Sequence, residues 1–314
     1  MFALRGLAVS LSVFVTLYWG LSLLICLGWR KARGLMAGRQ AHDVARFWFA
    51  LRLFPLATAL LVTIVLTVPS FVLLEPRAIV EPIGGLSVFL ALSGLAVLTV
   101  GVARTLVCVS RASRTISRWT VGAEPVSFQD PVPVLRAAGA APPLTAIGII
   151  RPRILLSGAA QFLLNTNEFQ CALNHELAHV RRCDNLKKLL LRFVLFPGMR
   201  GLEEAWLEAT EMAADDAAVT SIGDALDLAA ALIKLCRLGV TETCAELSML
   251  LVHSPVSLVN ERVERLIHWK ALSRPQPKHS RRYVCALGLG LLAVGLSYGQ
   301  LLMAVHAATE WLVH

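Results

Sequence analysis

Four stretches of this chain are apolar for about twenty residues or more, and this limits its fold more than any other feature. A bilayer core about 30 Å thick is crossed by about 20 apolar residues in a helix rising 1.5 Å per residue. The runs 7–28, 53–74, 86–109 and 283–306 all reach that length. The first contains no charge. The second has Pro55 near its start and Pro69 near its end, both tolerable in a membrane helix. The third carries Arg104 close to one end, where its stem can snorkel to the interface. Run 7–28 is too long for the core of a cleaved signal peptide, and Cys26-Leu27-Gly28-Trp29 offers no small-residue cleavage site. The expectation is a retained helix. Composition agrees, since only 16% of residues are charged against about a quarter in a soluble domain.

The net charge of +9 raises the question of nucleic acid. The basic residues crowd beside the apolar runs, however, and no basic patch is interleaved with aromatics, so no direct nucleic-acid contact is expected. They read instead as topology signals. Arg30, Lys31, Arg33, Arg39, Arg46 and Arg52 follow the first run, Arg111, Arg114 and Arg118 follow the third, and Arg274, Lys278, Arg281 and Arg282 precede the fourth. All fall on one side if both termini are outside, which makes 110–282 cytoplasmic by the positive-inside rule. The seven cysteines are scattered and odd in number, with no C-x-x-C spacing, so neither a disulfide framework nor a cysteine metal site is expected.

Region 110–282 differs in texture from its flanks. Val132-Pro133-Val134-Leu135 and the stretch Ile147 to Leu156 are β-branched runs between Gly and Pro, which predicts short strands and a hairpin around 147–156. That hairpin could accept a peptide as an added strand. Asn165 followed by Glu168 marks a helix start. The helix is predicted to run to about Phe196, where Pro197-Gly198 stops it, with later helices over 201–220, 224–238 and 257–271. The fold class expected is α+β: four membrane helices and an inserted, mostly helical domain with a small sheet.

Within the long helix lies His175-Glu176-Leu177-Ala178-His179. Two histidines four apart share one helical face, so their imidazoles can hold one Zn2+ ion. Glu176, beside the first histidine, can take a proton from a water activated by the ion. A catalytic zinc needs a third protein ligand, and Glu208 to Asp216 is the source at hand. Glu211 is the first choice and Glu208 its competitor. Asp215, one turn after Glu211, can orient a ligating histidine through its other ring nitrogen. Asp184 either does the same or caps Arg181 and Arg182. His253 is a candidate substrate or oxyanion contact, and Arg262 follows the site helices without an assigned role.

The run His175 to Asp184, the later Glu211-Met212-Ala213-Ala214-Asp215, and the preceding Gly148-Ile149-Ile150-Arg151-Pro152-Arg153-Ile154-Leu155 together resemble the BlaR/MecR-type membrane metallopeptidases. Placement of the motif between a third and a fourth membrane helix is similar too. The resemblance implies a gluzincin-like, zincin-type cytoplasmic domain in a multi-pass inner (plasma) membrane protein. His175, His179 and Glu211 would be ligands and Glu176 the general base. It also implies regulatory signal transduction, in which a cytoplasmic protein is cut: a transcriptional repressor, or the enzyme itself. Only a short outer tail is expected after the fourth helix, with no room for a penicillin-binding sensor domain. Two other readings keep the site but change its use. One is a CAAX-type or quality-control membrane peptidase; the other is a non-catalytic signalling protein with a structural zinc. An intact Glu176 weighs against the second, because structural zinc sites need no base.

Overall fold

The computed structural model describes residues 2–76, 84–126, 132–139, 141–194, 196–238, 249–250, 256–269 and 296–310. These divide into two compact units, each assembled from separate parts of the chain. The described residues of 1–28, 53–100 and 273–314 make one unit, and those of 29–52 and 101–272 make the other.

Among the described residues, three helices are long and apolar enough to cross a membrane. They are α1 (Phe2–Leu35), the run Ala41–Leu74, and α4 (Gly85–Thr120). The second is built from α2 (Ala41–Val62), a π-helical turn (Thr63–Thr67) and α3 (Val68–Leu74). The π turn has a local cause. Pro69 has no N–H and its ring crowds the carbonyl four residues back, that of Val65. Tyr298 Oη donates to that carbonyl at 2.7 Å, satisfying the acceptor that proline leaves open. Each helix outruns its apolar segment, carried on by the good helix formers Ala, Arg, Lys and Leu among the residues beyond it. Of the fourth expected span, residues 283–295 lie outside the described residues, while 296–310 form helix α11.

In the first unit small hydroxyl residues are buried beside apolar ones while many leucines face outward. Ser12, Ser22, Thr67, Ser70 and Ser87 are buried, whereas Leu24, Leu27, Leu61, Leu73, Phe89 and Leu92 are mostly exposed. Small residues let backbones approach and hydroxyls bind across helices, as lipid-embedded packing favours. A Cβ on Gly94 would sit 2.7 Å from the Leu11 carbonyl, Ser12 Oγ donates to Ser87 O at 2.9 Å, and Ser70 Oγ donates to Leu302 O at 2.9 Å.

The second unit holds a small mixed sheet of β1 (Glu124–Val126), β2 (Val134–Ala137), β3 (Leu144–Ile147), β4 (Arg153–Ser157) and β5 (Met249–Leu250), in the order β1-β2-β4-β3-β5. β3 and β4 form the expected hairpin, with β2 parallel to β4. Its turn needs Gly148, which has φ +84° and would bring a Cβ within 2.9 Å of the Arg151 carbonyl. One expectation is corrected here. The free edge of β3 is paired with β5, Thr145 opposite Leu250 and Ala146 opposite Met249, so the edge read as open to a peptide carries the chain's own backbone.

Against the sheet pack α5 (Gly158–Leu163) and α6 (Thr166–Arg181); α8 (Arg200–Ala218) and α9 (Ile222–Arg237) pack on α6, and α10 (Val256–Ile267) packs on α9 and α8. Their core includes Ile154, Leu156, Leu173, Leu177, Leu228, Leu232 and Leu235. α6 starts with the expected capping box of Asn165 and Glu168. Glu168 also takes Lys234 of α9 at 2.6 Å. The single helix expected to reach Phe196 is two. α6 stops at Arg181, Cys183 turns left-handed with φ 54°, and α7 covers Asp184–Phe193. The break is made by polar contacts of Asp184 that no helical periodicity encodes.

Candidate metal centre

His175 and His179 share the face of α6 that looks toward α8, and Glu211 lies on α8 opposite them. All three are buried. The facing ring nitrogens are 3.1 Å apart, His175 Nε2 is 3.5 Å from Glu211 Oε2, and His179 Nε2 is 3.6 Å from Glu211 Oε1. Two nitrogens and a carboxylate thus converge in a group that could hold a metal ion. Glu208 stays outside it, 3.9 Å from Arg33.

The outer ring nitrogens are fixed as well. His175 Nδ1 is 2.9 Å from Asp215 Oδ1, and His179 Nδ1 is 2.9 Å from Asp184 Oδ2. An Nδ1–H donated to Asp184 leaves the His179 Nε2 lone pair directed inward, and Asp215 stands beside His175 Nδ1 at ion-pair distance, favouring the same tautomer there. Asp184 also accepts from Arg182 at 2.9 Å and from Lys187 at 2.9 Å, so it both orients a histidine and pairs with bases, with Arg182 rather than Arg181 as the arginine partner. These neighbours hold its carboxyl far below the usual range although burial alone would raise it. Arg182 Nη2 reaches on to the Thr210 carbonyl at 2.9 Å, tying the end of α6 to α8.

Glu176, next to His175 on α6, is fully buried. Its Oε2 accepts the Ala146 N–H of β3 at 2.7 Å, while its Oε1 has no hydrogen-bond partner among the described residues. Burial pushes the carboxyl up to about 8, the range in which it both takes and releases a proton near neutrality. Asn185 Nδ2 donates to the Ala146 and Gly148 carbonyls at 3.2 and 3.0 Å, so β3 is pinned to the start of α7 as well as to α6.

Two cations complete the centre that motif reading did not assign to it. Arg262 on α10 is fully buried. Its Nε and Nη2 fork onto Asp215 at 2.8 and 2.7 Å, and its Nη1 reaches Glu211 Oε2 at 3.0 Å. Burial would raise Glu211, but Arg262 and the histidines hold it down at about 2. Lys188 on α7 feels Glu211, Asp184 and Glu176, yet burial dominates and brings its ammonium down to about 8. The only sequence signal for Arg262 was its place after the site helices; for Lys188 there was none. His253 lies outside the described residues.

In the first unit Glu75, His306 and Glu310 also approach closely enough to share an ion. There Glu310 is largely exposed, so the donor set is less enclosed. No known protein family matches the chain, nor does any curated protein or solved structure.

Proposed function

We propose that this protein is a membrane-anchored zinc peptidase whose centre is His175, His179 and Glu211, with Glu176 as general acid–base. The observation that carries the reading is the convergence of three buried donors beside a buried carboxyl that keeps one oxygen unpartnered among the described residues. Donors about 2.0–2.1 Å from a tetrahedral ion lie about 3.3–3.5 Å from each other, and the observed separations of 3.1, 3.5 and 3.6 Å bracket that value. Zinc fits better than calcium or magnesium, which take oxygen donors. Three protein ligands leave a fourth position for chemistry, unlike a closed structural site.

When bound, zinc supplies a Lewis acid for the scissile carbonyl and makes water acidic enough to deprotonate near neutrality. Glu176 Oε1 takes the proton of the attacking water and later delivers it to the departing amine. The Ala146 N–H holds the other oxygen, so the carboxylate cannot swing away. Asp184 holds the His179 ring in the tautomer that directs Nε2 inward, and the negative charge of Asp215 beside His175 Nδ1 favours the same tautomer. Arg262 positions Glu211 and keeps it ionised.

The resemblance to BlaR/MecR-type peptidases supports a regulatory role, with a cytoplasmic repressor or the chain itself as substrate. The basic flanks of the apolar runs support a cytoplasmic centre in a multi-pass plasma-membrane protein. The test uses the full chain in lipid nanodiscs, with bound zinc measured by mass spectrometry and cleavage of casein and of the chain itself followed in parallel. Glu176→Gln should keep its zinc and lose about 10²–10⁴-fold in cleavage rate. Replacing both His175 and His179 by alanine should remove the metal. Cleavage that persists in Glu176→Gln overturns the mechanism.

A further inference from the structure

The start of α1 and the ends of α3 and α11 meet within the first unit, and each brings an ionisable side chain there: Arg5, Glu75 and His306. Packing sets this meeting. Phe2 and Phe71 have ring centroids 4.9 Å apart, and a Cβ on Gly6 would sit 2.7 Å from the Phe71 ring. α11 runs alongside the Ala41–Leu74 helix in the same direction, with Tyr298 on the Val65 carbonyl and Ser70 on the Leu302 carbonyl. The next rung of that ladder sets His306 against Glu75.

Glu75 is the C-cap of α3, and its side chain is only 9% exposed. Arg5 Nη1 takes its Oε1 at 3.1 Å, while Oε2 faces the His306 ring, 3.9 Å from Nδ1. Glu310, one turn along α11 and so on the same helical face, brings Oε1 to 3.3 Å from His306 Nε2. Among the described residues the ring makes no hydrogen bond to either carboxylate, so an imidazolium bridging two acids does not account for the arrangement. The donors converge all the same: a ring nitrogen and one oxygen from each carboxylate lie within 4.8 Å of one another. The 3.3 Å approach of Glu310 already matches two ligands on one tetrahedral ion, which stand about 3.3–3.5 Å apart. An arginine on the carboxylate that faces the ring repeats the use of Arg262 on Glu211.

We infer that Glu75, His306 and Glu310 form a second, exchangeable site for a divalent transition-metal ion. The imidazole favours such an ion over calcium and magnesium, which take all-oxygen sets. The Glu310 side chain is 57% exposed, so the ion enters from solvent and leaves again, unlike one enclosed by His175, His179 and Glu211. Bound there, it ties the end of α11 to the end of α3, and Arg5 joins the start of α1 to the same carboxylate. The site uses residues of the first unit alone and does not rest on the peptidase reading.

The test titrates zinc chloride calorimetrically into the full, untagged chain in lipid nanodiscs after loosely held metal has been washed away. A His175→Ala/His179→Ala background removes any contribution from the buried centre. One saturable binding event is expected in that background. It should weaken by more than about tenfold when either Glu310→Gln or His306→Asn is added, because losing a direct ligand costs at least as much as losing a group that orients one. Magnesium chloride should give no event. Absence of saturable zinc uptake, uptake unchanged by both added substitutions, or equal uptake of magnesium overturns the inference; the last would mark a mere patch of carboxylates. Glu310→Gln alters a largely exposed side chain, so its metal-free unfolding midpoint should equal that of the background, and it decides the matter if His306→Asn disturbs packing. The event persists in the background whether or not the buried centre holds zinc, so the two assignments fail separately.

Discussion

Replacing Arg262 by methionine isolates the electrostatic logic of the centre. Methionine fills much of the volume but leaves Glu211 and Asp215 buried with no guanidinium between them. The substitution removes the fork onto Asp215 at 2.7 and 2.8 Å and the bond to Glu211 at 3.0 Å. Breaking a buried ion pair from one side costs about 3–5 kcal/mol, because the remaining charge is stranded in a poorly solvating site. For a unit of this size that is a drop on the order of 10 °C in unfolding midpoint. The loss should be largest in chelator. With zinc present, the ion takes over part of the neutralising role, so the gap between the zinc and chelator midpoints should widen in Arg262→Met relative to wild type. Adding Asp215→Asn should recover stability in the methionine background, while the same change alone should be harmful, giving a coupling well above the roughly 0.5 kcal/mol seen between independent sites. Differential scanning fluorimetry of the four proteins, with and without zinc, measures every term. If metal-free Arg262→Met unfolds within about 1 kcal/mol of wild type, or the double variant is no better than the single, the guanidinium is not what holds these carboxylates.

Three further outcomes are expected. Saturating zinc at 100 times its dissociation constant should stabilise the wild-type chain by about 2.7 kcal/mol, an increment that Glu211→Ala should largely remove in a zinc titration followed by unfolding. Gly148→Ala should cost about 1–2 kcal/mol from the left-handed backbone alone, and more from the 2.9 Å approach to the Arg151 carbonyl, read as a lowered midpoint. Hydrogen bonds from Thr220 and Ser221 at the start of α9 hold Asp224 below its ordinary carboxylate value. Its contribution is therefore present above the unfolded-state pKa, about 3.9, and is lost as pH falls through the folded value, so an acid titration of stability should be flatter below pH 4 in Asp224→Asn than in wild type.

What the sequence disclosed, and what it withheld, follows from the range of the forces involved. Apolar runs and i, i+4 spacing are local, so three of the candidate spans, the Asn165–Glu168 helix start and the pairing of His175 with His179 could be read directly. Glu211 and Asp215 were also legible, because their own i, i+4 spacing presents one carboxylate toward each layer of a site that the histidines already demanded. Three features were not. The break at Cys183 exists because Asp184 binds His179, Arg182 and Lys187, and nothing in the helical pattern of 166–196 marks it. The occupation of the β3 edge by Met249–Leu250 is a pairing across about a hundred residues, which strand propensity cannot specify. Arg262 looked like any basic residue on an amphipathic helix.

Two of these features, the break at Cys183 and the place of Arg262, share a physical origin. A buried charge is tolerated only where distant segments bring it a partner, so its role is decided by tertiary placement rather than by its neighbours in sequence. Four carboxylates surround the two histidines: Glu176, Asp184, Glu211 and Asp215. Three of them are held ionised by Arg182, Lys187 and Arg262, and only Glu176 is left to burial, which raises it to about 8. Carboxyl groups of one chemical type are thereby pushed apart in proton affinity, with two fixed as anions that hold rings, one as an anion that faces the donors, and one able to exchange a proton. That separation is the property a hydrolytic centre needs and a structural one does not. It gives a sharp discriminator within this site: Glu176→Gln should be the one substitution among the four that leaves zinc content intact, whereas Glu211→Gln, Asp215→Ala and Asp184→Ala should each weaken it, the last two by about 10–100-fold. Equal zinc loss in all four would mean that Glu176 is part of the metal's support and that the division of labour drawn from its unpartnered oxygen is mistaken.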